Sequence, residues 1–230
     1  MTLLSYNVGV FSKYEDDTTT QVAELIRSSG ASLVALNELD SCNRRHASFQ
    51  LKELAAQLGD WPFQFASAFP YAGGAYGNGV VSRDKVNSRY KVHLPKSDGS
   101  EPRSIAVVET DRCVFASVHL DYVGENSQRD QVEALNDWFK AVYGNSKKPV
   151  FLCGDFNAEP DSETIRLMRE GWTQLSGADF TYSTKNPRKC IDYVFAYKAA
   201  APVEAISSEV LTVGTESFSD HYPVKVVVKF

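Results

Sequence analysis

The sequence predicts an α/β fold in which most strands pair antiparallel. Short apolar runs of strand length recur along all 230 residues. Between some of them lie apolar residues at helical spacing, and three of these stretches are closed by a glycine. Four consecutive runs, 79–82, 90–94, 105–109 and 113–120, follow one another with no helical pattern between them. A doubly wound parallel sheet would need a helix at each crossover. No repeat, composition shift or polar linker divides the chain, so one domain over residues 1–230 is expected. A chain this long buries roughly 70–75% of its unfolded surface, so it needs neither disulfide nor structural metal to fold.

The elements follow in order. A strand is read at 3–6, then a helix over 18–29 that puts Val22, Leu25 and Ile26 on one face and stops before Gly30. A strand at 33–36 precedes a second helix, 48–58, with Leu51, Leu54, Ala55 and Leu58 aligned ahead of Gly59. The stretches 69–79 and 96–103 read as turn-like. Runs at 79–82, 105–108 and 114–118, rich in Val, Ile and Phe, suit buried strands. A third helix, 127–143, carries Val132, Leu135, Trp138, Phe139 and Val142 and ends at Gly144. A strand at 150–153, a helix over 161–169 with Asp161 and Ser162 as candidate caps, and strands at 191–196 and 224–228 complete the chain.

Charge narrows the function. The chain has 24 basic and 29 acidic residues, a net −5, and its longest basic runs are the pairs Arg44-Arg45, Lys147-Lys148 and Arg188-Lys189. A protein that tracks a nucleic-acid polymer carries a basic stripe, because counterion release drives its affinity. A small phosphorylated substrate fits better. No apolar run is long enough to span a membrane. The N-terminus, MTLLSYNVGVF, has no basic segment, apolar stretch and cleavage site in succession. The expectation is a cytoplasmic monomer if the chain is complete, and a secreted or periplasmic one if a signal has been removed. Cys42, Cys113, Cys153 and Cys190 form no CxxC pair, which argues against zinc and thioredoxin chemistry. Reduced thiols are expected, with Cys113 and Cys153 buried in the apolar runs CVFASV and VFLC.

Polar residues of catalytic type recur at strand ends: Asn7, Glu38, His119 with Asp121, Asp155 with Asn157, Asp192, and Asp220 with His221. Singly each has a plain reading, such as a turn former, a surface charge, an Asx turn or a cap. Asp192 inside an apolar strand is harder to dismiss, because a carboxylate there must be paired or line a cleft. Together they offer hard oxygen donors suited to Mg²⁺ or Mn²⁺ and two histidines able to donate to a developing anion. That combination fits metal-assisted phosphoester hydrolysis.

The blocks SYNVG, LNELD, GNGVVSR, VHLD, GDFNAEPDS, IDYVF and SDHYPV, in that order, give the chain a resemblance to the endonuclease/exonuclease/phosphatase family, with its deoxyribonuclease I-like fold. The resemblance implies a four-layer sandwich of two packed, largely antiparallel sheets with helices outside. It implies that Glu38 is the principal ligand of Mg²⁺ or Mn²⁺, with Asn7 and Asp220 beside it. Asp155 and Asn157 would orient the attacking water, Asp192 would orient His119 or its surroundings, and Asp220 would partner His221. Asn78 of GNGVVSR and Asp121 of VHLD would stand near the substrate. A narrower resemblance, to a bacterial branch, rests on LDSCNRR, PYAGGAYGNGVVSR and EPR. It makes Arg45 and Arg103 either a phosphate clamp or structural salt-bridge partners. Two positions depart from the family pattern: Asn37 stands where Gln usually precedes the metal glutamate, and Cys190 stands where a cation usually precedes Ile-Asp-Tyr. The implied activity is in-line hydrolysis of a small or lipid-like phosphoester. A nuclease and a non-catalytic phosphate-binding module are the alternatives.

Overall fold

The computed structural model describes residues 1–230. In chain order its elements are β1 (Thr2–Asn7), α1 (Thr19–Ser29), β2 (Leu33–Ser41), α2 (Gln50–Gln57), β3 (Phe63–Tyr71), β4 (Gly74–Ser82), β5 (Val86–Leu94) and β6 (Arg103–Thr110). They continue as β7 (Val114–His119), α3 (Glu125–Tyr143), β8 (Val150–Asp155), α4 (Glu163–Gly171), β9 (Trp172–Gln174), β10 (Asp192–Tyr197), β11 (Glu204–Val210) and β12 (Val224–Lys229). One sheet has the order β11-β12-β1-β2-β4-β3, and the other β5-β6-β7-β8-β10-β9. Each is antiparallel except for one central parallel pair, β1–β2 and β7–β8.

The central strands read as continuous apolar runs because both of their faces are covered. In β1, Leu3 enters the core between the sheets while Leu4 and Tyr6 pack beneath α1 and α2. In β7, Phe115 faces the other sheet while Val114, Ala116 and Val118 meet the α3 side. Three apolar layers result: one between the sheets and one under each helix pair. The four-layer sandwich is therefore the observed architecture. No helix is long and apolar enough to cross a membrane.

Some elements differ from the sequence reading. The stretch 69–79 is the end of a hairpin rather than a loop: Phe69 stacks on Tyr76 across the β3–β4 pair, with ring centroids 5.3 Å apart. Strands β3, β9 and β11 had no apolar run to mark them; β11, at a sheet edge, is largely exposed. Helix α4 starts at Glu163, capped by Ser162, whose Oγ accepts the Ile165 N–H at 3.3 Å. Val142 is exposed despite its helical spacing. Cys113, Cys153 and Cys190 are buried free thiols and Cys42 is exposed. Burial pushes the Cys113 and Cys190 thiols up to about 11.

Candidate active site

Side chains alternate along a strand, so each central strand fixes the direction of its last polar residue. Leu3 and Asn7 share a face, as do Ala35 and Asn37, Phe115 and His119, Cys153 and Asp155, and Val194 and Asp192. The apolar member of each pair lies in the core between the sheets, and the polar member stands where that core ends. Register aligns the set: Asn7 opposite Asn37, His119 opposite Asp155, and Asp155 opposite Asp192. Glu38 leaves the alternation. The β2–β4 register shifts between Leu36 and Leu39, and Glu38 has a φ of 57°; such a bulge re-aims a side chain, and Glu38 lines the cavity. Gly154 has a φ of 145°, and an added Cβ would lie 1.8 Å from the Val118 carbonyl oxygen. Only glycine lets β7 and β8 approach there.

Asp155 is the hub. Its Oδ2 accepts from Asn7 Nδ2 at 3.0 Å and faces His119 Nε2 at 3.4 Å and His221 Nε2 at 3.6 Å. Its Oδ1 accepts the Asn157 N–H at 2.8 Å. Burial pushes the Asp155 carboxyl up to about 7; His221 opposes the rise, and the Asp192 carboxylate on the adjacent strand adds to it. The two histidines are not equivalent. His221 Nδ1 lies 2.8 Å from Asp192 Oδ2. Burial pulls His221 down, but Asp192 and then Asp155 outweigh it and hold the ring up at about 10, so Nδ1–H donates to Asp192. His119 Nδ1 lies 3.3 Å from Arg103 Nη1. Arginine only donates, so the proton of a neutral His119 sits on Nε2, toward Asp155. Burial first, then the charges of Arg103 and His221, hold His119 well below the usual imidazole range.

These partners correct the expected ones. Asp192 holds His221, not His119. Asp220 does not hold His221; its Oδ2 lies 2.7 Å from Lys13 Nζ. Asp192, at the start of β10, reaches the ring instead. Arg45 is a structural residue. Its guanidinium forks onto the buried Asp40 at 2.7 and 2.9 Å, stacks 4.8 Å over the Tyr71 ring, and does not line the cavity. Asn78 is interior too, donating to Ser104 O at 2.8 Å. Asp121 is fully buried and accepts the N–H groups of Val123 and Ser100 at 2.7 and 2.9 Å, which shapes the turn into α3 rather than a substrate contact.

The cavity over Asp155 has a volume of about 660 Å³ and is lined by Glu38, Arg103, His119, Asn157, Asp220 and His221 among others. Arg103 is 3% exposed and its Nε has no partner. Three residues that the sequence reading passed over belong here, together with Asn37. Lys13, Tyr122 and Tyr182 line the cavity, the last with its ring 4.8 Å from His221. Asn37 lies beneath: its Nδ2 donates to Val118 O at 2.8 Å and its Oδ1 accepts the Asp155 N–H at 3.0 Å. The departure from Gln at this position therefore ties one sheet to the other directly under Asp155.

A divalent cation fits Glu38. Of its carboxylate oxygens only Oε1 has a hydrogen-bond partner, the Asn7 amide at 3.1 Å, and the side chain faces a cavity that Asp155 and Asp220 also line. These are hard oxygen donors with no thiol among them. Asn7 differs from the expectation of an oxygen ligand: it turns its nitrogen to Glu38 and Asp155, and its Oδ1 accepts the Gly9 N–H at 3.1 Å. It positions Glu38. A second, fully buried group, Asp155, Asp192 and His221, has donor atoms within 4.8 Å of one another. There His221 Nδ1 is already committed to Asp192, which favours a proton-bearing pair over a cation site.

A model of the Endonuclease/Exonuclease/phosphatase family matches residues 4–221. Among curated proteins none matches. Solved structures do. A mannosyl-6-phosphatase from Bacteroides thetaiotaomicron aligns over 100% of both chains, with 17% identity and a TM-score of 0.80. An endonuclease/exonuclease/phosphatase from Beutenbergia cavernae aligns over 100% of this chain and 71% of its own, with 21% identity and a TM-score of 0.79. The human Nocturnin catalytic domain, solved with a sulfate anion, aligns over 100% and 93%, with 18% identity and a TM-score of 0.78.

Proposed function

The chain belongs to the endonuclease/exonuclease/phosphatase family, hydrolases that act on phosphoester bonds, and from that premise we propose that it hydrolyses a small phosphoester with the help of a divalent cation. The observation that carries this reading is Asp155. A buried carboxylate raised to about 7 beside a charged and a neutral imidazole is poised for base work near neutral pH.

The roles follow from the geometry. Asp155, fixed by Asn7 and the Asn157 N–H, takes a proton from the attacking water. His221, charged and anchored on Asp192, and His119, donating through Nε2, face the phosphoryl oxygens as charge builds on them. Arg103 lines the same cavity and supplies a further donor. Glu38 would hold Mg²⁺ or Mn²⁺, which when bound polarises the phosphoryl group and offsets leaving-group charge. No covalent enzyme intermediate is required.

The small substrate is supported by the cavity volume of about 660 Å³, ordinary for a small-molecule site, and by the net charge of −5. A structural neighbour described as a mannosyl-6-phosphatase points the same way. The test is hydrolysis of p-nitrophenyl phosphate, bis(p-nitrophenyl) phosphate, a sugar phosphate and plasmid DNA, with Mg²⁺ or with EDTA. Turnover of a small ester that EDTA abolishes is expected, with a log–log salt slope of roughly one or two phosphate contacts. Steeply salt-dependent plasmid nicking as the main activity would replace this reading with a nuclease. Calorimetry on Glu38→Gln should show Mg²⁺ binding lost or much weakened; unchanged affinity would remove Glu38 from the cation site.

A further inference from the structure

Lys13 belongs to none of the blocks that carry the family resemblance. Its side chain is 42% exposed and lines the cavity over Asp155. An ammonium has three donors, and the one recorded partner is Asp220 Oδ2, at 2.7 Å. We propose that Lys13 binds the phosphoryl oxygens of the substrate with its remaining donors. This inference rests on the phosphoesterase reading and adds a contact to it.

The local backbone is built to put Lys13 there. Gly9, Val10 and Phe11 all have left-handed φ values, 52°, 52° and 55°, a costly conformation for Val and Phe that tends to cluster at functional sites. The turn folds the chain back so that the lysine stem crosses Gly9: a Cβ on Gly9 would lie 3.1 Å from Lys13 Cβ and 3.1 Å from Ser219 Oγ. Glycine therefore leaves room for the stem on its way to Asp220. Gln50 Nε2 donates to Val10 O at 2.5 Å, and the Thr18 N–H donates to Phe11 O at 2.8 Å.

A side-chain relay braces the residue before Lys13. Ser12 Oγ lies 3.0 Å from His46 Nε2, and His46 Nδ1 lies 2.6 Å from the buried Asp40 Oδ2. The same three residue types could activate a nucleophilic serine. Here the carboxylate is already neutralised by the Arg45 fork, and Ser12 does not line the cavity. The relay is a strut between β2 and the turn that carries Lys13. Its effect on the site is positional.

Asp220 anchors the ammonium, and Asp220 and Glu38 both favour its charged state against the cost of burial. Lys13 therefore adds a positive charge to a cavity that Glu38, Asp155 and Asp220 also line.

The experiment measures binding of inorganic phosphate by calorimetry at constant ionic strength with Mg²⁺ present, and KM and kcat for p-nitrophenyl phosphate. In Lys13→Gln the phosphate Kd and the KM should each rise about 10- to 100-fold, the scale of one hydrogen bond between charged groups, with a smaller change in kcat. Lys13→Arg, which keeps the charge, should restore both to within a few-fold. His46→Ala, which keeps Lys13 and cuts the strut, should raise KM several-fold and leave kcat near its original value. Wild-type phosphate affinity and KM in Lys13→Gln, in a protein that turns over the ester, would overturn the inference. An unchanged KM in His46→Ala would overturn the positional role of the strut. Wild-type protein that neither binds phosphate nor hydrolyses the ester would overturn this inference together with the phosphoesterase reading.

Discussion

Asp155→Asn is expected to lower kcat by on the order of 10²–10⁴-fold, the scale of removing a general base, and to make the metal-free protein more stable at alkaline pH. Both effects come from one carboxylate. Asp155 is 1% exposed and lies directly across the ladder from Asp192, and like charges at such a position are destabilising. Burial is the largest cause of its raised pKa; Asp192 adds to it, and His221 and the amides of Asn157 and Asn7 only partly offset it. The sign follows from proton linkage. A carboxyl whose folded-state pKa lies above its unfolded value keeps its proton in the folded state over that window, here from about 4 to about 7. The folded state is therefore favoured by low pH, and stability falls as pH rises through the window. Asparagine keeps an oxygen for the Asn157 N–H and removes the charge. The Tm difference between Asp155→Asn and wild type, measured in EDTA, should be more positive at pH 8 than at pH 5, by ~2–4 °C for each kcal/mol gained. Equal differences at the two pH values would show that Asp155 carries no buried-charge cost. Retained turnover would place the base elsewhere.

How much of this was readable beforehand follows from what a linear sequence encodes. The central strands were readable because burial on both faces writes a continuous apolar run, as in Val114–Val118. The site residues were readable as a set because alternation places Asn7, His119, Asp155 and Asp192 at the ends of such runs. Strand β11 was not, because EAISSEV lies at an exposed edge and needs no apolar face. Pairings inside the site were not readable either. Asp220 is next to His221 in sequence, yet its partner is Lys13, while the partner of His221 stands 29 residues earlier on β10. Such pairings depend on register between strands far apart in the chain. Arg45 followed the Asp of LNELD and remained with it, five residues away, as a local fork. Lys13 carried one local sign, a glycine four residues upstream in a short turn, and nothing in that spacing names a phosphate.

Loss of either member of the Asp192–His221 pair should cost on the order of 10²–10³-fold in kcat, the scale of one transition-state donor, and the two losses should not add. His221 is 4% exposed, and burial alone would leave it neutral; Asp192, 2.8 Å away, is the foremost cause of its raised pKa. In Asp192→Asn that charge is gone, only Asp155 and Asp220 still oppose burial, and the ring loses its proton at lower pH. The folded-state pKa of about 10 lies above the unfolded value, so the pair stabilises the fold fully below about 6.5 and loses that contribution as pH rises through about 10. Titration of the His221 ring protons by NMR should follow the same shift, from about 10 in wild type to a lower pH in Asp192→Asn. His119→Ala should lower kcat less, because a neutral imidazole offers a weaker donor than an imidazolium. In a double-mutant cycle, Asp192→Asn in the His221→Ala background should change kcat little, since its partner is already absent. Full additivity, or an unshifted His221 titration in Asp192→Asn, would mean that Asp192 serves the site through something other than this ring. Its unpartnered Oδ1 would then be the atom to follow.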